Sequence, residues 1–249
     1  MFRSKPLFAG QPGLNRRVVV TGLAGAALIG VSVGGRLPPA AAQAVEVDLA
    51  LVLAVDCSYS VDAAEFRLQM LGLAEAFRRP EIQRAIGNGI LGRIVVALVQ
   101  WSDERKQTFS VPWTLIAGGG DAAEFAAVLE ATPREVAEGA TAIGAALRYC
   151  AALLRTSPVS AARKVIDISS DGRNNRGIHP TVARDRILAE GMTINGLVIL
   201  DEWPTLDIYF EQQVVGGPDH FVIAAHDYDA YGEAIYRKLL QEITGPGLS

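Results

Sequence analysis

Histidine and cysteine are scarce in this 249-residue chain, at three and two residues. None of them stands at close zinc-ligand spacing, which disfavours a zinc site. Cys57 and Cys150 allow only one disulfide pairing. However, Cys57 ends an apolar run and Cys150 falls on the apolar face of a predicted helix, so two small buried thiols are expected. The first strand-to-helix turn has no glycine-rich phosphate loop, which argues against nucleotide binding. No Gly-x-Ser-x-Gly elbow is present. No segment reaches the roughly 20 apolar residues of a membrane span. Acid is missing from the first 44 residues, which carry Arg3, Lys5, Arg16, Arg17 and Arg36. Taking those five from the 23 basic residues leaves 18 against 27 acidic ones, a net of -9. So acidic a surface argues against nucleic acid and against stable binding to anionic membrane, and suits a soluble protein that collects cations.

The N-terminus has the pattern of an export signal. Arg16-Arg17 precedes a mostly apolar run from Val18 to Val33, and Gly34-Gly35-Arg36-Leu37-Pro38-Pro39 then breaks any helix. Ala42-Gln43-Ala44 is a small-residue cleavage site. The reading is a signal peptide over 1–44, removed to leave a mature chain of 45–249 in the periplasm or outside the cell. The arginine pair hints at twin-arginine export, although Val18-Val19-Val20 fits that motif loosely.

From Val45 onward, strand-like runs alternate with amphipathic helices. Half of the chain's residues are hydrophobic, enough for one sizeable core. Val47 to Val55 is a near-continuous apolar run ending in Asp56, the mark of a strand buried on both faces of a parallel sheet. Further strands are predicted over 93–101, 108–116, 164–169, 192–200 and 220–225. Pro112 suits the 108–116 strand to an edge, and the short connection before it predicts an antiparallel hairpin. Helices are predicted over 63–79, stopped by Pro80, and over 122–130, capped by Asp121. Others are expected over 141–155, 179–190, 206–215 and 228–243. This order implies an α/β, Rossmann-like, mostly parallel sheet of about six strands with one antiparallel edge and helices on both faces. In such sheets ligands gather beyond the carboxyl ends of the strands, where strand order reverses. The residues at those ends are Asp56 to Ser60, Asp103, Asp171 and Asp201-Glu202.

Asp56, Ser58 and Ser60 form an Asp-x-Ser-x-Ser motif in a tight loop. Three short oxygen-bearing side chains at alternate positions can converge on one point, and an all-oxygen set selects a hard divalent cation. The same residue types also favour helix starts, so Ser60 or Asp62 could equally serve as a cap.

Here the chain resembles the von Willebrand factor type A domains and their metal-ion-dependent adhesion site (MIDAS). The resemblance asks for a later threonine loop and an Asp-Gly after a buried strand. Glu138-Gly139-Ala140-Thr141 and Val165-Ile166-Asp167-Ile168-Ser169-Ser170-Asp171-Gly172 supply them in the expected order. The likeness spans about Val45 to Ile243. It is greatest to small exported bacterial type A-like proteins without an assigned function, a likeness carried also by Trp101-Ser102-Asp103. It implies a metal site of Asp56, Ser58, Ser60, Thr141 and Asp171. Mg2+ is its first expected occupant, with Ca2+ or Mn2+ as alternatives, and no enzymatic activity is implied. The hydroxyl-rich shell would leave one coordination position for a carboxylate from a protein or peptide partner. One departure is Ala140, where family members often have glycine. A second is the pair Arg173 and Arg176 beside the site, read as solvated loop charges or as attraction for an anionic partner.

Two other functions compete with metal-dependent interaction. One is a hydrolase using Ser58 or Ser60, for which His226-Asp227 is the one base at a strand's carboxyl end. The other is a structural role in which a metal only rigidifies loops. Asp103 is read as an outer acid beside the metal loops or as part of a solvated turn. Trp203 and Tyr209 are read as partner contacts or as internal packing.

Overall fold

The computed structural model describes residues 44–245. The export segment expected over 1–44 therefore lies, apart from Ala44, outside the described residues. Six strands form one sheet in the order β3-β2-β1-β4-β5-β6. β1 (Val45–Asp56), β2 (Ile94–Trp101), β4 (Val159–Ser170), β5 (Thr193–Ile199) and β6 (Val222–Ala225) run parallel to one another. β3 (Gln107–Ile116) pairs antiparallel with β2 at the edge. The expected fold class is observed, including the edge position of Pro112.

β1 explains the double-sided architecture. Its side chains alternate between two cores. Leu49, Leu51, Leu53 and Val55 enter one core, while Ala50, Val52 and Ala54 enter the other. The first core is covered by α1 (Ala63–Arg78), α2 (Pro80–Gly87), α3 (Gly119–Ala131) and α7 (Tyr231–Thr244). The second lies under α4 (Ile143–Arg155), α5 (Pro180–Ala189) and α6 (Leu206–Gln213). On α4, the four residues Ile143, Leu147, Cys150 and Leu154 are all buried, as their helical spacing predicts. No described helix is long and apolar enough to cross a membrane.

Three local expectations are corrected. Pro80 does end the first helix, but it also opens α2, because its fixed φ suits the first helical position. Asp121 does not cap α3 but sits within its first turn, and its carboxylate accepts a hydrogen bond from the Ala117 amide at 2.9 Å. The last helix begins at Tyr231 rather than Tyr228, which leaves Tyr228 in the loop before it.

Strand order reverses between β1 and β4. The chain steps outward from β1 through β2 to β3, then returns past β1 to β4. The crevice beyond the carboxyl ends of β1 and β4 is the position this topology reserves for a ligand. Asp56 ends β1, and Ser170 ends β4 with Asp171 immediately after it.

Candidate metal centre

Asp56 is buried at the end of β1. One of its carboxylate oxygens accepts from the Ser58 amide at 2.7 Å, the other from the Ser170 hydroxyl at 2.5 Å. The Ser58 and Ser60 hydroxyls are 3.2 Å apart. The Ser60 hydroxyl donates to Asp171 at 2.7 Å across 111 residues of sequence. The ambiguity over the helix cap is resolved by Asp62. Its carboxylate accepts from the amides of Ala64 at 2.7 Å and Glu65 at 2.9 Å, and Glu65 bonds back to the Asp62 amide at 2.7 Å. Ser60 is therefore released from capping and turned to Asp171.

Thr141 is buried just before α4 and is held through its backbone. Its amide donates to Asn175 Oδ1 at 2.9 Å, and its carbonyl accepts from the Asn175 amide at 3.0 Å. Its hydroxyl oxygen lies 3.5 Å from where a side chain on Gly172 would begin, so it flanks the Asp171-Gly172 turn. Gly144, the second residue of α4, has no room for a side chain: a Cβ there would stand 2.2 Å from the Ile178 carbonyl oxygen. Asn174 Oδ1 accepts from the Gly144 amide at 3.2 Å. Ala140 avoids the backbone conformation that would demand glycine, since Asp219 is the one non-glycine residue with positive φ among those described. A threonine loop without the preceding glycine is thus unstrained.

Hydrogen bonds thus link Asp56, Ser58, Ser60 and Asp171 in one chain, Thr141 flanks the Asp171-Gly172 turn, and several further residues brace them. Tyr228 donates its phenol to Asp171 at 2.9 Å. Arg134 donates to the carbonyls of Cys57 at 2.9 Å, Ser58 at 3.4 Å and Val61 at 2.8 Å, bracing the motif loop from outside. Ser170, Tyr228, Asn174, Asn175 and Arg134 were not identified from sequence as parts of the site. The register accounts for Ser170: β1 and β4 pair Ala54 with Ile168, so two residues on Ser170 stands beside Asp56.

The electrostatics are those of a site short of positive charge. Asp56 and Asp171 are both buried, and among the described residues no basic side chain pairs with either. Burial, and then the negative charge of Asp171, push the Asp56 carboxyl up to about 7. Burial likewise pushes the Cys57 thiol up to about 12, so it is an inert core group. Cys57 and Cys150 are both buried and free. Among the described residues no three His, Cys, Asp or Glu side chains converge as a ligand set. The donors at hand are thus two carboxylates supplemented by hydroxyls. That chemistry fits a hard divalent cation and no thiolate or imidazole metal.

Of the remaining strand-end residues, Glu202 lines the cleft above the centre, whereas Asp103 does not. Asp103 lies 3.7 Å from Arg176 and accepts from the Glu104 amide at 2.7 Å, so it belongs to a surface turn. His226 is 94% exposed and 3.7 Å from Asp227. The Ser58 and Ser60 hydroxyls bond to each other and to Asp171, not to a histidine. Trp203 is 44% exposed, and Tyr209, half-buried, accepts from the Asn174 amide at 3.3 Å. Above the centre, a cleft of about 370 Å³ is lined by residues that include Tyr59, Ser60, Thr141, Gly172, Arg173 and Trp203.

The fold is shared with solved type A structures. Proximal thread matrix protein 1 from the mussel byssus superimposes with a TM-score of 0.61 at 15% identity, over 82% of this chain and 50% of that one. Another of its structures is described as having a zinc-occupied MIDAS motif. The pilus adhesin SpaC from Lactobacillus rhamnosus GG matches with a TM-score of 0.55 at 16% identity, over 81% of this chain and 31% of that one. A von Willebrand factor type A structure from Catenulispora acidiphila matches with a TM-score of 0.53 at 18% identity, over 80% and 43%. The chain thus spans half or less of the length of these structures, and the likeness is one of fold. No curated protein matches the chain. A family model described as "Protein of unknown function (DUF1194)" matches residues 46–247, so the chain belongs to that family, built on the von Willebrand factor type A fold.

Proposed function

We propose that this protein is an exported interaction domain that binds a divalent cation, Mg2+ first, through Asp56, Ser58, Ser60, Thr141 and Asp171. The observation that carries the reading is the pair of buried carboxylates without a basic partner among the described residues, set among hydroxyls at the switch point of the sheet. Neutral hydroxyls leave most of a cation's charge uncompensated, so a bound cation would supply a strong anchor for a carboxylate from a protein or peptide partner. Asp56 and Asp171 would bring the negative charge, Ser58, Ser60 and Thr141 the neutral oxygens, and Tyr228 and Ser170 would fix the orientation of the carboxylates. Kinship of fold with a pilus adhesin and with a matrix protein that has a zinc-occupied site supports this reading. The basic, apolar and small-residue order of 1–44 supports removal of that segment during export, leaving 45–249 in the periplasm or outside the cell.

The test is capture of partners from an envelope extract on the immobilised protein, with Mg2+ or with EDTA. The expected result is a set of proteins retained with Mg2+ and released by EDTA, and absent from the Asp171→Asn protein. Recovery of the same proteins under both conditions would rule out metal-dependent capture.

A further inference from the structure

Arg173 follows the Asp171-Gly172 turn directly and stands at the mouth of the cleft. Its guanidinium carbon lies 5.2 Å from the centre of the Trp203 ring and 5.5 Å from that of Tyr209. One of its nitrogens donates to the Thr205 hydroxyl at 2.8 Å. Two rings and a hydroxyl therefore hold a solvent-exposed guanidinium in place, and most of the rotamer freedom that binding would otherwise remove is already gone. Yet among the described residues no carboxylate pairs with it. The contrast with Arg176, three residues on, is direct: that side chain lies 3.7 Å from Asp103 and 3.9 Å from Glu104. In a chain with an acidic excess, a fixed guanidinium without a counter-charge beside a candidate ligand cleft calls for an anion from outside. The planar fork of arginine matches a carboxylate with two parallel hydrogen bonds.

We propose that Arg173 sets the specificity of this cleft by taking a second carboxylate from the partner. The inference rests on the metal-centre reading, in which the first carboxylate meets the cation. Asp171 and Arg173 are two residues apart, so their Cα atoms are at most about 7 Å apart. An extended peptide places side chains of one face about 7 Å apart, at alternate positions. The partner chemistry that fits is thus an extended acidic segment of the form acid-x-acid. Glu202 also lines the cleft, so a partner with acids on every side would be repelled. Only a carboxylate on the Arg173 side gains.

The test uses biotinylated peptides immobilised at equal density, carrying Asp-Gly-Asp, Asp-Gly-Asn or Asn-Gly-Asp in a glycine-serine context. Binding of the purified protein is read by interferometry in Mg2+, and Mg2+ binding itself is measured separately by calorimetry. The Asp-Gly-Asp peptide is expected to bind about tenfold more tightly than the better of the other two, the size of one charge-assisted contact. Arg173→Gln should abolish that advantage and keep Mg2+ affinity intact. Arg173→Lys should restore part of it. If Mg2+ binds but the three peptides bind alike, or if the advantage survives in Arg173→Gln, the Arg173 assignment fails alone. If Mg2+ does not bind, the metal-centre reading fails and this inference with it. Tighter, Arg173-dependent binding of an oligogalacturonate than of Asp-Gly-Asp would overturn the peptide assignment in favour of an acidic glycan.

Discussion

Adding Mg2+ to the metal-free protein should raise its melting temperature, by an amount that follows from the donors. Both oxygens of Asp56 already accept hydrogen bonds, from Ser58 and Ser170, and both of Asp171 do so from Ser60 and Tyr228. Each keeps a lone pair for a cation, but a binding metal must share these atoms with their present donors. The other donors are neutral hydroxyls. A site with so little free negative charge belongs at the weak end of oxygen-ligated cation binding, with a dissociation constant on the order of 1 mM. At about 10 mM Mg2+ the stabilisation is RT ln(1 + [L]/Kd), or about 1.4 kcal/mol. For a domain of this size that corresponds to about 3–6 °C. Differential scanning fluorimetry at matched ionic strength measures it. Asp171→Asn, which keeps the side chain's shape and removes one of the two charges, should abolish the shift. Identical melting curves with and without Mg2+ would refute the reasoning, as would an undiminished shift in Asp171→Asn.

Three further outcomes are expected. Gly144→Ala should cost about 2–3 kcal/mol in urea denaturation, because its methyl meets the Ile178 carbonyl rather than a yielding side chain; a loss below about 0.5 kcal/mol would contradict that close approach. Tyr228→Phe should cost about 1–2 kcal/mol by removing a buried donor from Asp171, read as a lower urea midpoint in EDTA; an unchanged midpoint would dismiss Tyr228 as a positioning residue. Glu242 is buried beside Lys238 at 2.7 Å and Asn195 at 3.0 Å, and burial, followed by the charge of Asp167, pushes its carboxyl from 4.5 up to about 8. The folded state therefore keeps a proton that the unfolded chain releases, so this contribution is fully present below about 4.5 and is lost as pH rises towards about 8. Glu242→Gln should flatten that fall in urea midpoints, and an equally steep fall in the variant would sink the assignment.

Much of this molecule was legible in its sequence because local chemistry determined it. The apolar run of β1 reads as a doubly buried strand, since any other placement would expose it to water. Pro112 reads as an edge residue because it lacks an amide hydrogen. The alternation of strands and helices implies the parallel sheet, and the sheet implies a crevice at the strand ends. Asp56, Ser58 and Ser60 could be read as a group because they are neighbours in one loop. Tertiary structure alone decided the rest. Whether Ser60 caps a helix or turns to Asp171 depended on Asp62 completing a capping box with Glu65, and on Asp171 arriving from a strand 111 residues away. Tyr228 looked like the start of a helix because propensity blurs helix ends; only packing shows its phenol against Asp171. Arg173 and Arg176 looked alike in the sequence. Folding gives Arg176 to a pair of surface acids and leaves Arg173 stacked on two rings, because partner choice depends on distances that a linear pattern does not contain.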